Sequence, residues 1–194
     1  EGRLSEYDAE TSEGSVTVAG AVAVTDLKGK ARAYLATDQA VTTTGLLSLQ
    51  ALDNSDASAT ADGSATGSAS TGVGVAVAIN LAQAGGQAYL GGAGTISAHD
   101  VSVKAGRASR AGETPLADVF SAEAVSGATA GSVGVAGALA LNVVDVTSSA
   151  VVQTGTTVAV GGGNASLTAE NTTASTAIAK PEGEGAAAGS VGVG

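Results

Sequence analysis

The chain has 194 residues, 29 of them Gly, only 2 Pro, and no Cys, Met or Trp. Its 8 basic and 18 acidic residues give a net charge of −10. That balance excludes the clustered Lys and Arg that nucleic-acid phosphates demand, and it excludes adhesion to anionic membranes by charge alone. The four aromatics are Tyr7, Tyr34, Tyr89 and Phe120. They are too few for the girdles of an outer-membrane barrel, and no stretch reaches the roughly 18 apolar residues of a membrane-spanning helix. Val, Ala, Leu and Ile are left to fill the core, which suits a thin, layered object.

In chain order, residues 1–13 read as the end of a preceding repeat. A first repeat, 14–68, opens with "GSVTVAGAVAVTDL", continues through "ARAYLAT" (31–37) and "GLLSLQA" (45–51), and closes with "DNSDASATADGSATGS" (53–68). The second, 69–130, opens with "ASTGVGVAVAINLA", then carries "GQAYLGG" (86–92) and "DVSVKAG" (100–106). The third, 131–188, opens with "GSVGVAGALALNVV", then carries "SAVVQTG" (149–155) and "NASLTAE" (164–170); residues 189–194, "GSVGVG", start a further repeat. The opening strands recur at spacings of 55, 62 and 58 residues. No 3.6-residue periodicity runs for any length, so the repeat is built from short strands. The expected fold is all-β, a parallel β-helix (β-solenoid) made of ~58-residue repeats with about three coils each. The chain reads as a window on a longer array.

Each opening strand alternates large with very small apolar residues rather than apolar with polar. The expectation is that the large face, Val18, Val22, Val24, Val73, Val77, Ile79, Val135, Leu139 and Leu141, fills the core. The small face, Ala21, Ala23, Ala76, Ala78, Ala136, Ala138 and Ala140 with Gly74 and Gly134, is expected to serve close packing against another sheet layer or a neighbouring subunit.

The segments "GSVGVAGALALNVVDVTSSAVV", "TTVAVGGGNASLTAE" and "AYLGGAGTISAHDVSVKAG" (88–106) resemble the repeats of large bacterial surface adhesins, the filamentous-haemagglutinin-like and fusobacterial leukotoxin-like exoproteins. The resemblance covers nearly the whole chain as a style of repeat. It implies a secreted parallel β-helix rod on the cell surface and carries over no functional residues. The second repeat departs from the pattern: it is longer and holds Pro115, Phe120 and charges between Arg107 and Glu123.

Chemistry-bearing residues are sparse. His99 and Asp100 are adjacent, but a catalytic triad needs a positioned serine and an oxyanion hole, and no GxSxG elbow is present; a solvated turn histidine is the expectation. Asp53, Asp56 and Asp62 are weak calcium candidates, without the spacing of an EF-hand or a calcium β-roll. Glu182 and Glu184 read the same way. "GVGVAV" (72–77) lacks the third glycine of a dinucleotide fingerprint, and "GGGN" (161–164) reads as a turn. Asn164 and Asn171 stand in sequons that read as chance. Thr42–Thr44, Thr156, Thr157, Thr172 and Thr173 form no regular Thr-x-Thr face. Asn80 and Asn142 hold equivalent places, where the first repeat has Thr25, and stacking of their amides between coils is expected.

The expected function is structural: a segment of an extracellular bacterial filament or giant adhesin, giving reach, stiffness and self-association or adhesion, with no enzymatic activity, cofactor or resident metal. Its partners would be further copies or repeats and a surface glycan or protein, with no nucleic acid and no membrane insertion. The alternative is a polysaccharide-binding or polysaccharide-cleaving β-helix, which needs an aromatic groove or paired carboxylates.

Overall fold

The computed structural model describes residues 15–109, 112 and 117–194. The segment 1–13, Pro115 and the Glu184 side chain, each singled out in the sequence, lie outside the described residues. Five strands form the first set: β1 (Val16–Lys28), β2 (Ala31–Ala36), β3 (Val41–Thr42), β4 (Leu46–Asp53) and β5 (Ala57–Asp62). The second set is β6 (Thr71–Ala84), β7 (Gly86–Gly91), β8 (Thr95–Ala98), β9 (Asp100–Arg107) and β10 (Asp118–Ala130). The third is β11 (Val133–Val146), β12 (Ser149–Val152), β13 (Thr157–Val160), β14 (Ala165–Ala169) and β15 (Thr173–Ala188), and β16 (Val191–Val193) opens a fourth. No helix occurs among the described residues. The fold is all-β with parallel sheets throughout.

Every strand pairs with the strand five places away. The sheets run β1-β6-β11-β16, β2-β7-β12, β3-β8-β13, β4-β9-β14 and β5-β10-β15. Val16 pairs with Thr71, Thr71 with Val133 and Val133 with Val191. The pairing offset is therefore the sequence repeat itself. This corrects the expectation of about three coils per repeat: each repeat supplies one strand, not three, to each sheet. The reason is that the three short pieces recognised within a repeat do not stack on one another. They bend away at corners, and each stacks on its equivalent in the next repeat.

Two long sheets, those of β1 and β5, face each other, and alanines fill the space between them. Ala21, Ala76 and Ala78 meet Ala59, Ala61, Ala122 and Ala124, with Ala23, Ala138 and Ala140 half-buried beside them. The layers approach so closely that a Cβ on Gly74 would stand 2.0 Å from the Gly127 carbonyl oxygen and 2.6 Å from that of Gly63. Only a residue without a side chain fits there. Farther along each set, β2, β3 and β4 with their partners enclose a wider core of Leu90, Ile96, Val101 and Val103. Phe120 is fully buried at the junction, against Leu27, Ala57, Ala82, Ala84, Val144 and Val146.

The large face does not fill the core, and this corrects the sequence expectation. Val22 is 66% exposed and Leu139 57%, whereas Ala76 and Ala78 are at 0%. Val18, Val24, Val135 and Leu141 are exposed with them, and Val73, Val77 and Ile79 on the middle strand are half-exposed. The physical cause is the sheet spacing. Side chains larger than alanine would hold the layers apart, so the parity that places alanine inside turns valine and leucine out.

The extra length of the second repeat falls between β9 and β10, and parallel pairing resumes on both sides of it. In β15, Pro181 stands opposite Ser126, where the pairing shifts register. β15 is an edge strand of its sheet in this structure, the kind of strand in which proline is tolerated, as it is at a bulge.

Candidate functional site

Polar side chains gather at four places. The first is the corner between β8 and β9. His99 Nδ1 lies 2.7 Å from Asp100 Oδ2, and the Asn164 N–H donates to Asp100 Oδ1 at 2.8 Å. The His99 bond, then the Asn164 amide, hold the Asp100 carboxyl below the ordinary carboxylate value. A shallow cavity of about 410 Å³ opens beside them, lined by Thr43, Thr44, Ser97, His99 and Val160. Among the described residues the imidazole ring is bonded to the Asp100 carboxylate. Asp100 acts as a clamp from the second repeat onto the third.

The second is the set of weak calcium candidates, which the structure does not bring together. Asp53 accepts from Ser55 Oγ and from the Gly85 N–H, Asp56 accepts from the Val119 N–H, and Asp62 accepts from the Ser64 N–H and hydroxyl. Each carboxylate is held by donors of its own neighbourhood. No group of three His, Cys, Asp or Glu able to hold a metal occurs among the described residues.

The third was not singled out in the sequence as a site. Arg107 Nε donates to Asp118 Oδ1 at 3.0 Å, with side chains 9% and 4% exposed. The Ser55 N–H donates to the same oxygen at 3.1 Å. Burial pushes the Asp118 carboxyl up, while the Ser55 amide and the Arg107 guanidinium pull it down. The signal was available in the parity: Asp118 shares its face with Phe120, Ala122 and Ala124, all buried. A charge at an inward position needs a buried partner.

The fourth is the Thr25, Asn80 and Asn142 row, in direct register across β1, β6 and β11. Asn80 Nδ2 donates to Asn142 Oδ1 at 2.9 Å, and Asn142 Nδ2 donates across the layers to the Phe120 carbonyl at 2.9 Å. Thr25 Oγ1 reaches the Ser58 carbonyl at 2.7 Å. Each residue of the row thus ties the first long sheet to the second.

On the outside, Tyr34 and Tyr89 stack with ring centroids 5.3 Å apart and planes within 10°, and Val151 takes the next place in register. Beyond that ladder, the broadest chemical feature is the aliphatic outer face of the β1 sheet. Of the expected packing face, Ala21, Ala76, Ala78 and Gly74 lie buried between the layers of the chain's own fold, while Ala23, Ala136, Ala138 and Ala140 are half-buried. No family model, curated protein or solved structure matches the chain.

Proposed function

We propose that the chain is a structural segment of an extracellular bacterial β-solenoid filament or giant adhesin. Each ~58-residue repeat is one coil with five strand faces, and the coils stack along a rod. The observation that carries this reading is the register: residue pairs one repeat apart are bonded strand by strand in all five sheets. Polar side chains add to the same axial ladder, through the Asn80–Asn142 amides and the Asp100 clamp on Asn164. A chain organised this way serves reach and stiffness, because every coil templates the next through its backbone. The acidic surface favours solubility of a long rod. Self-association with other copies belongs to the same reading.

Small-angle scattering on chains lengthened by one, two and three further repeats tests it. A single coil per repeat adds about 4.8 Å of rod per repeat, the spacing of paired strands. A length that does not grow with repeat number overturns the rod. Release of sugar from a polysaccharide panel would overturn the structural assignment in favour of a carbohydrate-active protein.

A further inference from the structure

The cations of the chain are not spread evenly. Three of its 8 basic residues, Lys28, Lys30 and Arg32, fall within one five-residue run, on a chain that carries 18 acidic residues. Strand parity puts all three on the outside, at the corner where β1 gives way to β2. The alternation continues past Arg32 to Tyr34, which is 64% exposed. Outward neighbours on a strand stand about 6.6 Å apart, so ammonium, guanidinium and phenol groups follow one another along a short stripe.

The second set widens the stripe. In register, Gln83 lies beside Lys28, Gln87 beside Arg32 and Tyr89 beside Tyr34. The two tyrosine rings stack on each other, and neither phenol hydroxyl has a hydrogen-bond partner among the described residues. Lys30 and Arg32 stand in no ion pair among the described residues, whereas Lys28 pairs with Asp26 at 2.8 Å. The other acids near the stripe are engaged as well: Asp38 accepts from the Ala93 N–H at 3.1 Å, and Asp145 accepts from the Thr147 hydroxyl at 3.2 Å. The third set does not repeat the pattern. Asp145, Ser149 and Val151 stand where the first set has Lys28, Arg32 and Tyr34. Since the third set stacks through the same backbone ladders without these side chains, coil stacking does not account for them.

The chemistry of the stripe selects its ligand. A free guanidinium holds a carboxylate or sulfate through paired N–H donors, and an ammonium adds a compact point charge. The electron-rich face of a tyrosine ring attracts the polarised C–H groups of a sugar ring. Glutamine amides and phenol hydroxyls both donate and accept, as sugar hydroxyls do. A densely charged polymer fits less well. Duplex DNA carries one charge per about 1.7 Å and would run from these few cations onto a chain of net charge −10. A polymer whose anionic groups are spaced among neutral sugar hydroxyls matches both the cations and the amide and aromatic groups beside them.

We propose that Lys28, Lys30, Arg32 and Tyr34, with Gln87 and Tyr89 beside them, bind an acidic polysaccharide, its carboxylate or sulfate groups on the cations and its sugar rings on the tyrosines. The proposal rests on the adhesive part of the functional reading and gives that part a ligand class. Fluorescence anisotropy tests it with four labelled probes: a hyaluronan octasaccharide bearing only carboxylates, a dextran sulfate oligomer bearing only sulfates, a neutral dextran oligomer and a thymidine oligonucleotide. The chain is expected to bind one or both anionic saccharides and not neutral dextran, more weakly as salt is added. Arg32→Gln should weaken that binding about tenfold or more. Tyr34→Leu, which keeps every charge and an apolar side chain, should weaken it severalfold. Both variants should keep the circular dichroism spectrum of the parent, because both side chains are exposed. Lys104→Gln, in β9, should leave binding unchanged. The proposal is overturned if neither anionic saccharide binds, or if binding survives both Arg32→Gln and Tyr34→Leu. It is also overturned if the oligonucleotide binds as tightly as the saccharides and Tyr34→Leu changes nothing, which would assign the stripe to polyanions in general. Growth of scattering length with repeat number is an independent readout. Rods that bind no saccharide overturn this site alone, and saccharide binding by chains whose length does not grow overturns the rod alone.

Discussion

At the scale of single residues, the Thr25–Asn80–Asn142 row shows how one side chain can continue or end a ladder. Asn80 is fully buried, and its Oδ1 has no hydrogen-bond partner in the structure. The residue beneath it in register is Thr25, whose hydroxyl is already donated to the Ser58 carbonyl. Thr25→Asn would offer a second donor, repeating the step that Asn80 makes to Asn142. We expect a gain of about 1 kcal/mol, the net worth of one satisfied hydrogen bond, read as a rise in the thermal midpoint. The Arg107–Asp118 pair works the opposite way. Asp118→Ala removes the carboxylate that Arg107 Nε and the Ser55 amide share at a buried corner and should cost about 3–5 kcal/mol. Asp118→Asn keeps an oxygen for the Ser55 amide and should cost clearly less. Equal losses in urea unfolding of the two variants would mean that the oxygen acceptor is unimportant.

At the scale of strands, the division of labour between the two faces of β6 and β11 sets the cost of substitution. Ala78 is packed between layers, so Ala78→Leu should overfill the gap and cost about 1–3 kcal/mol or more. Leu139 stands outside, and Leu139→Ala should change stability by no more than about 0.5 kcal/mol. The sequence alone had suggested a large cost for Leu139. The alternation was legible; its sense was not. Over residues 18–24, 73–79 and 135–141 both faces are apolar, so the alternation there leaves the inward parity undetermined; the outward charges Asp26, Lys28 and Asp145 stand at the strand ends. The inward Thr25, Asn80 and Asn142 do mark it, because they share parity with the alanines and reach the facing sheet.

At the scale of the whole molecule, burial depends on the position of a set within the stack. Val103 on the middle set is at 0% exposure, while Leu167, its partner in register on the third, is at 49%. Neighbouring sets cover the second on both sides. Stability in such an array is a sum of local and nearest-neighbour contributions. Amide hydrogen exchange should therefore be slowest in β6 to β10 and fastest in β14 and β16. Uniform protection across the sets would contradict a stacked order. For the same reason Leu90→Ala, in the middle set, should cost about 2–5 kcal/mol, and Leu167→Ala much less.

What the sequence determined by itself is the repeat, its strand-only character and the equivalence of positions one repeat apart. These follow from composition and spacing, because glycine- and β-branched-rich segments without helical periodicity have few other solutions. The Asn80–Asn142 stack was legible for the same reason: equal positions in successive repeats become neighbours in a parallel sheet. The tertiary structure decided the rest. It fixed one strand per sheet from each repeat, because only the path around the corners determines which pieces meet. It brought Arg107 and Asp118 together through a buried corner rather than through sequence spacing. Above all it turned the alanines in and the valines and leucines out, because the inward direction of a two-faced apolar strand is set by the distance to the layer opposite, and that layer is contributed by a segment about forty residues away in the chain.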